Sequence, residues 1–140
     1  MKYKKLYNEL YENGYHSDYN ICHTKKMFTK LSSVLDNGKK VLDIGCSHGT
    51  AVLELQNMGY DAYGVDISAP AIKTCKKRGI PNCFEQSVTT LDFDEAYFDA
   101  IVTSDVLEHI SEEELTDSLK SISRVLKKGG IVFVTIATCP

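Results

Sequence analysis

Apolar positions along the chain change period several times, and each change marks an element. Tyr3, Tyr7 and Tyr11 recur every fourth residue beside Leu6 and Leu10, which predicts an amphipathic helix ending near Asn13-Gly14. Met27, Phe28, Leu31, Val34 and Leu35 repeat the spacing, and Asp36-Asn37-Gly38 closes this second helix. Val41-Leu42 before Asp43 and Ile44 then reads as a strand at 40–44 covered on both faces, with a helix over 50–58 stopped by Gly59. The stretch DAYGVDIS predicts a second strand ending at Asp66, followed by a helix capped by Ser68 that tolerates Pro70 in its first turn and runs to Gly79. Short strands are expected at 83–86, 98–105 and 129–138. Between the last two, Ser111 and Glu114 form a capping box. Leu115, Leu119, Ile122 and Leu126 provide that helix's apolar face, and Lys127-Lys128-Gly129 its end.

Strands alternating with helices imply a parallel sheet, because parallel neighbours need a crossover. The expected fold is α/β: a Rossmann-like doubly wound sheet of about five strands in the order 3-2-1-4-5, with helices on both faces and an N-terminal helical segment. Ligands of such sheets bind beyond the carboxyl ends of the strands, where the strand order reverses. GCSHG, DIS and SDVLEH all fall at those ends.

Composition narrows the picture only a little. With 140 residues, 43% hydrophobic and 25% charged, the chain fits one ordinary globular domain, and a net charge of −3 supplies no broad pull toward nucleic acid or an anionic membrane. No apolar run is long enough to span a bilayer, and the basic start MKYKKLYNEL lacks an apolar signal core, so the expected location is cytoplasmic. Cys22, Cys46, Cys75, Cys83 and Cys139 show no C-x-x-C pair, which predicts reduced, mostly buried thiols. His16, His23, His48 and His109 lack ligand spacing, and no metal site is expected.

The chemistry concentrates in VLDIGCSHGT. Gly45, Ser47 and Gly49 follow a G-x-S-x-G spacing rather than the G-x-G-x-x-G of dinucleotide sites. Asp43, just before the turn, would repel a phosphate and attract an ammonium or sulfonium. Asp66 ends the next strand about twenty residues on, where a carboxylate accepts from ribose hydroxyls. A cation joined to a ribose describes S-adenosylmethionine. Asp43 as a cap of the next helix and Asp66 as a partner of the Ser68 turn are the structural alternatives.

VLDIGCSHG, YGVDIS, FDAIVTSDVLEHI and RVLKKGGIVFVT, in this order, resemble the motifs of the class I S-adenosylmethionine-dependent methyltransferases, particularly the small-molecule group. The resemblance covers most of 38–137. It implies that Asp43, Gly45 and Gly49 hold the methionine end, Asp66 the ribose and Ile67 the adenine, with Cys46, Ser47, Ser87 and Val88 among the cofactor-binding residues. It also sets Asp105 near the transferred methyl. Ser47 stands where the family has a middle glycine, and Ser87 where it commonly has an Asp for the adenine amino group. Candidate bases are Asp105, Glu108 and His109; for His109 a structural hydrogen bond is the alternative to catalysis. His48 reads as packing or capping. For Tyr11, Tyr15 and His16 a core role stands slightly ahead of a lid over the cofactor.

The expected activity is methyl transfer from S-adenosylmethionine to an O or N atom of a small molecule, leaving S-adenosylhomocysteine. The alternative is an inactive cofactor-binding module serving as a partner or regulatory subunit, and a nicotinamide enzyme is disfavoured by the glycine spacing. Residues 1–38 would form N-terminal helices or a lid, and 39–140 a core lacking the family's usual strands 6 and 7. The apolar fifth strand would then be an edge needing cover, from the rest of a longer enzyme or by pairing into a homo-oligomer, unless the chain is a natural short form.

Overall fold

A computed structural model describes residues 2–14 and 21–137. In chain order the elements are α1 (Lys2–Glu12), α2 (Ile21–Val34), β1 (Lys40–Ile44), α3 (Thr50–Asn57), β2 (Asp61–Asp66), α4 (Ala69–Lys77), β3 (Cys83–Glu85), β4 (Phe98–Ser104), α5 (Glu112–Val125) and β5 (Leu126–Thr135). Short 3-10 turns occupy Val88–Thr90 and Leu107–His109. The five strands pair in parallel in the order 3-2-1-4-5. The strand order reverses between β1 and β4, so the connections leaving their carboxyl ends turn to opposite faces of the sheet and leave a crevice there.

Alternate sheet residues face two cores. Met27, Phe28 and Leu31 of α2 and Val52 and Leu55 of α3 pack with Val41, Ala100 and Val102 on one face. Leu42, Val65 and Ile101 meet Ile122 and Val125 of α5 on the other. The α2 stripe is narrower than expected, because Val34 is exposed.

The end of the chain differs from the sequence expectation. α5 stops at Val125 and β5 begins at Leu126, without waiting for Gly129. The 96–98 segment captures the helix end: Ala96 N donates to Arg124 O, Tyr97 N donates to Val125 O, and Phe98 pairs with Leu126. Lys127 then reaches Asp99 at 3.0 Å instead of capping the helix. The buried face of α5 is Ser118, Ser121, Ile122 and Val125, while Leu115 and Leu119 are exposed. Two serines face inward because they satisfy backbone groups: Ser121 Oγ accepts from Leu91 N at 2.9 Å, and Ser118 Oγ donates to Glu114 O at 2.8 Å. The expected cap is present, with Glu114 N donating to Ser111 Oγ.

Among the described residues no helix is long and apolar enough to cross a membrane.

Candidate functional site

The turn after β1 is built from three left-handed residues, Gly45 (φ 80), Ser47 (φ 50) and Gly49 (φ 80). Gly45 needs its missing side chain twice over. Its φ is one that glycine adopts freely, and a Cβ would sit 2.3 Å from Val106 Cγ2. The N–H groups of Gly45 and Cys46 both donate to Val65 O, which fastens the turn to β2. At Ser47 the left-handed conformation costs roughly 1–2 kcal/mol, and its partners over-determine it. Its N–H donates to Asp66 Oδ2 at 2.9 Å, its carbonyl accepts from the Cys75 thiol at 3.2 Å, and its hydroxyl accepts from Tyr11 at 2.8 Å.

Asp66 is nearly buried at the end of β2, and its other oxygen accepts from Ser68 N at 2.9 Å. The structural role considered for Asp66 is therefore real, and it extends to the turn itself. A carboxylate offers about four lone-pair positions, so the backbone amides of Ser47, Ser68 and Ile67 still leave room for a ligand hydroxyl. Burial pushes its carboxyl up, while the Ser68 and Ser47 amides pull it back.

Asp43 has no such relief. It is 6% exposed, and its carboxyl is pushed up to about 8 by burial first, then by the charges of Asp66 and Cys75. Both of these neighbouring charges are negative, so neither holds Asp43 ionised.

These groups line one cavity of ≈ 370 Å³ at the carboxyl ends of the strands, a size typical of small-molecule sites. The lining brings together Asp43, Gly45, Cys46, Ser47, Asp66, Ile67, Ser87, Val88, Asp105 and His109, which the sequence had singled out from separate segments. Gly49 lies outside the lining; it packs beneath the turn, where a Cβ would meet Cys75 Sγ at 3.0 Å. Glu108 also points elsewhere, since its Oε1 accepts from Ala137 N at 2.9 Å. Ser87 caps the 88–90 turn by accepting from Thr89 N. Asp105 takes a left-handed conformation (φ 54), and its N–H donates to Thr135 O. His109 stands with its ring centroid 6.2 Å from those of both Tyr3 and Tyr7. His48 packs edge-on to Tyr11 at 5.1 Å, as its packing role anticipated, and its carbonyl accepts from Arg78.

Two features exceed the sequence reading. The tyrosine stripe of α1 faces the cavity, with Tyr3, Tyr7 and Tyr11 among the lining residues. Its sequence signal was the residue type: tyrosine has an apolar body and a polar tip, which suits a wet wall better than a core. Tyr15 and His16 lie outside the described residues. The second feature is a cluster of the free, buried thiols Cys46, Cys75 and Cys83, with sulfurs within 4.8 Å of one another. They come from three elements, and no local spacing could have announced them.

Comparison with known proteins agrees with this geometry. Residues 42–134 match a family model described as a methyltransferase domain. The chain is 31% identical over 109 residues to a ubiquinone biosynthesis O-methyltransferase of Glaesserella parasuis, covering 70% of this chain and 45% of that protein. It is 35% identical over 103 residues to a tRNA (carboxymethyluridine(34)-5-O)-methyltransferase of Arabidopsis thaliana, covering 73% and 25%. It thus spans less than half the length of these curated relatives. The fold is also that of a Burkholderia thailandensis 1,6-didemethyltoxoflavin-N1-methyltransferase solved with its substrate and S-adenosylhomocysteine, with a TM-score of 0.78 at 19% identity over 93% of this chain and 60% of that one. With a parallel 3-2-1-4-5 sheet, a glycine turn after β1 and acids closing β1 and β2, the chain belongs to the methyltransferase domain family, whose methyl donor is S-adenosylmethionine.

Proposed function

We propose that the cavity binds S-adenosylmethionine and that the chain transfers its methyl group to an O or N atom of a small molecule. The observation that carries this reading is Asp43, a buried carboxyl facing the cavity whose strongest neighbouring charges are both negative. A sulfonium or ammonium placed beside it supplies the missing positive charge and draws the carboxyl into its ionised form. Asp66, with its remaining lone-pair position, takes a ribose hydroxyl. Ile67 and Val88 pack on the adenine, and Ser87 offers it a neutral hydrogen bond. The Gly45–Ser47 backbone approaches the methionine end.

Transfer is an in-line displacement: the S–CH3 bond breaks as the acceptor–CH3 bond forms, and the sulfonium becomes the neutral thioether of S-adenosylhomocysteine. Holding donor and acceptor in line supplies much of the rate. Asp105 and His109, which line the cavity after β4, would take the proton an O–H or N–H acceptor loses. The α1 tyrosines, which line the cavity, would limit water around the reacting atoms. The acceptor atoms O and N are those in the names of the Glaesserella and Burkholderia proteins. A small molecule is favoured over RNA by the net charge of −3.

Calorimetry with S-adenosylmethionine, S-adenosylhomocysteine and NAD tests the binding step. The two sulfur ligands should bind and NAD should not; absence of binding by both sulfur ligands removes the proposal. An assay of S-adenosylhomocysteine release over a panel of phenols, amines and heteroaromatic N–H compounds tests transfer.

A further inference from the structure

Three sulfurs meet beneath the cofactor turn. Cys46 belongs to the turn itself, Cys75 to α4 and Cys83 to the start of β3, and all three are 4% exposed or less. Single buried cysteines are ordinary small apolar residues, but a group of three drawn from distant elements is a ligand set. Metal–thiolate bonds of about 2.3 Å put neighbouring sulfurs of one ion roughly 4 Å apart, and these sulfurs already lie within 4.8 Å of one another.

The surrounding backbone leaves room for them. Gly64, in β2, has no left-handed backbone that would call for glycine, yet a Cβ there would stand 2.6 Å from Cys46 Cβ and 2.8 Å from its Sγ. Gly49 likewise clears Cys75 Sγ at 3.0 Å and Cys83 Sγ at 3.4 Å. Side chains at either position would push the sulfurs out of their present places.

We propose that Cys46, Cys75 and Cys83 form a trithiolate site for one thiophilic d10 metal ion, Zn2+ or Cu+, beneath the cofactor turn. Soft thiolate ligands select these ions over Mg2+, Ca2+ or Mn2+. Loading forms three metal–sulfur bonds, and the protons of the thiols pass to solvent without any change of oxidation state. Affinity therefore falls as pH is lowered. The ion would tie the turn, α4 and β3 together, a structural role separate from methyl transfer.

The test uses the full chain, reduced and stripped of metal, titrated anaerobically with Zn2+ and separately with Cu+ against a competing chromophoric chelator, without any cofactor ligand. One ion per chain is expected, with a dissociation constant on the order of nanomolar or tighter, and with Cys46, Cys75 and Cys83 protected from alkylation in the loaded protein. A Cys22→Ser/Cys139→Ser variant should bind equally well. Cys75→Ala and Cys83→Ala should each lose at least about 100-fold in affinity while keeping the wild-type circular dichroism. Micromolar or weaker binding of both ions overturns the site, as does unchanged affinity in Cys75→Ala. If those variants do not fold, the alkylation pattern of the wild type decides: three reactive thiols at these positions in metal-saturated protein overturn the proposal. Failure here leaves binding of S-adenosylmethionine untouched, and failure of cofactor binding leaves this site standing.

Discussion

Beside β1 and β2, backbone and side chains are committed to one another: the Gly45 and Cys46 amides to Val65, Ser47 to Asp66, Tyr11 and Cys75, and Asp66 to Ser68. Beside β5 the outer strand leaves Val132 and Val134 exposed, with Ile136 just past its end, and Leu115 and Leu119 of α5 are exposed as well. In the first region a left-handed serine and an acid held largely protonated store free energy that a cationic ligand can release. In the second little is buried. Function is expected to be fragile where the chain is over-determined and tolerant where it is open.

The sharpest break should come from Gly45→Ala. The Cβ collides with Val106 in a backbone region alanine resists, so about 2–4 kcal/mol of folding stability should be lost, together with cofactor binding. Urea unfolding followed by circular dichroism measures the first and calorimetry the second. A loss under about 0.5 kcal/mol, the range of a neutral surface change, would mean that the turn is not the rigid element described.

Asp43→Asn should separate binding from stability. Removing the charge that faces a buried cation costs about 2–3 kcal/mol of affinity, so S-adenosylhomocysteine should bind on the order of 30–100-fold more weakly. The ligand-free variant should be more stable than wild type above pH 8, because a buried carboxylate has been removed. Equal affinities would place the ligand's cation elsewhere.

The pH dependence follows from the same residue. The Asp43 carboxyl lies at about 8 in the folded chain against 3.8 ordinarily, so between these values the folded chain holds a proton that the unfolded chain has released. Its contribution to stability is complete at low pH and declines as pH rises toward 8, by at most about 1.4 kcal/mol per pH unit. A cationic ligand prefers the ionised form, so affinity should run the other way, rising with pH and flattening near 8. Chemical denaturation and calorimetry across this range check the opposite slopes, and Asp43→Asn should flatten this component of both.

Smaller effects mark the edges of the comparison. Tyr11→Phe removes the hydroxyl that α1 places on Ser47, and should speed amide exchange in α1 with a change of about 1 kcal/mol. Exchange as slow as in wild type would mean that the bond does not hold the lid. At the open end, Val134→Lys should change stability by less than about 0.5 kcal/mol and leave cofactor affinity unaltered. A larger loss in thermal unfolding would show that the β5 face is covered after all.

What was legible in the sequence was whatever has a local period or a local turn. The buried run before Asp43, the glycines at 45 and 49 and the Ser68 and Ser111 caps lead to the observed strand order and to most of the cavity wall. The inward face of α5 was not legible, because Ser121 is buried to serve the distant Leu91 amide and Ser118 the Glu114 carbonyl one turn back, not to hide apolar area. The early start of β5 depends on Ala96, Tyr97 and Phe98 capturing the end of α5. The thiol cluster joins residues 46, 75 and 83, a relation only the folded chain contains. The tyrosines of α1 showed a correct helix but not its destination, since a stripe facing a cavity has the same spacing as one facing a core.

The central claim is that Asp43 pairs with the positive charge of a ribose-bearing sulfur cofactor. Its most direct test is calorimetric titration of the wild-type chain with S-adenosylhomocysteine at about pH 6.5, below the Asp43 value, in buffers of different ionisation enthalpy. The account predicts binding with release of close to one proton, and release abolished in Asp43→Asn. Binding with no proton exchange in the wild type, or the same release in the variant, would contradict it.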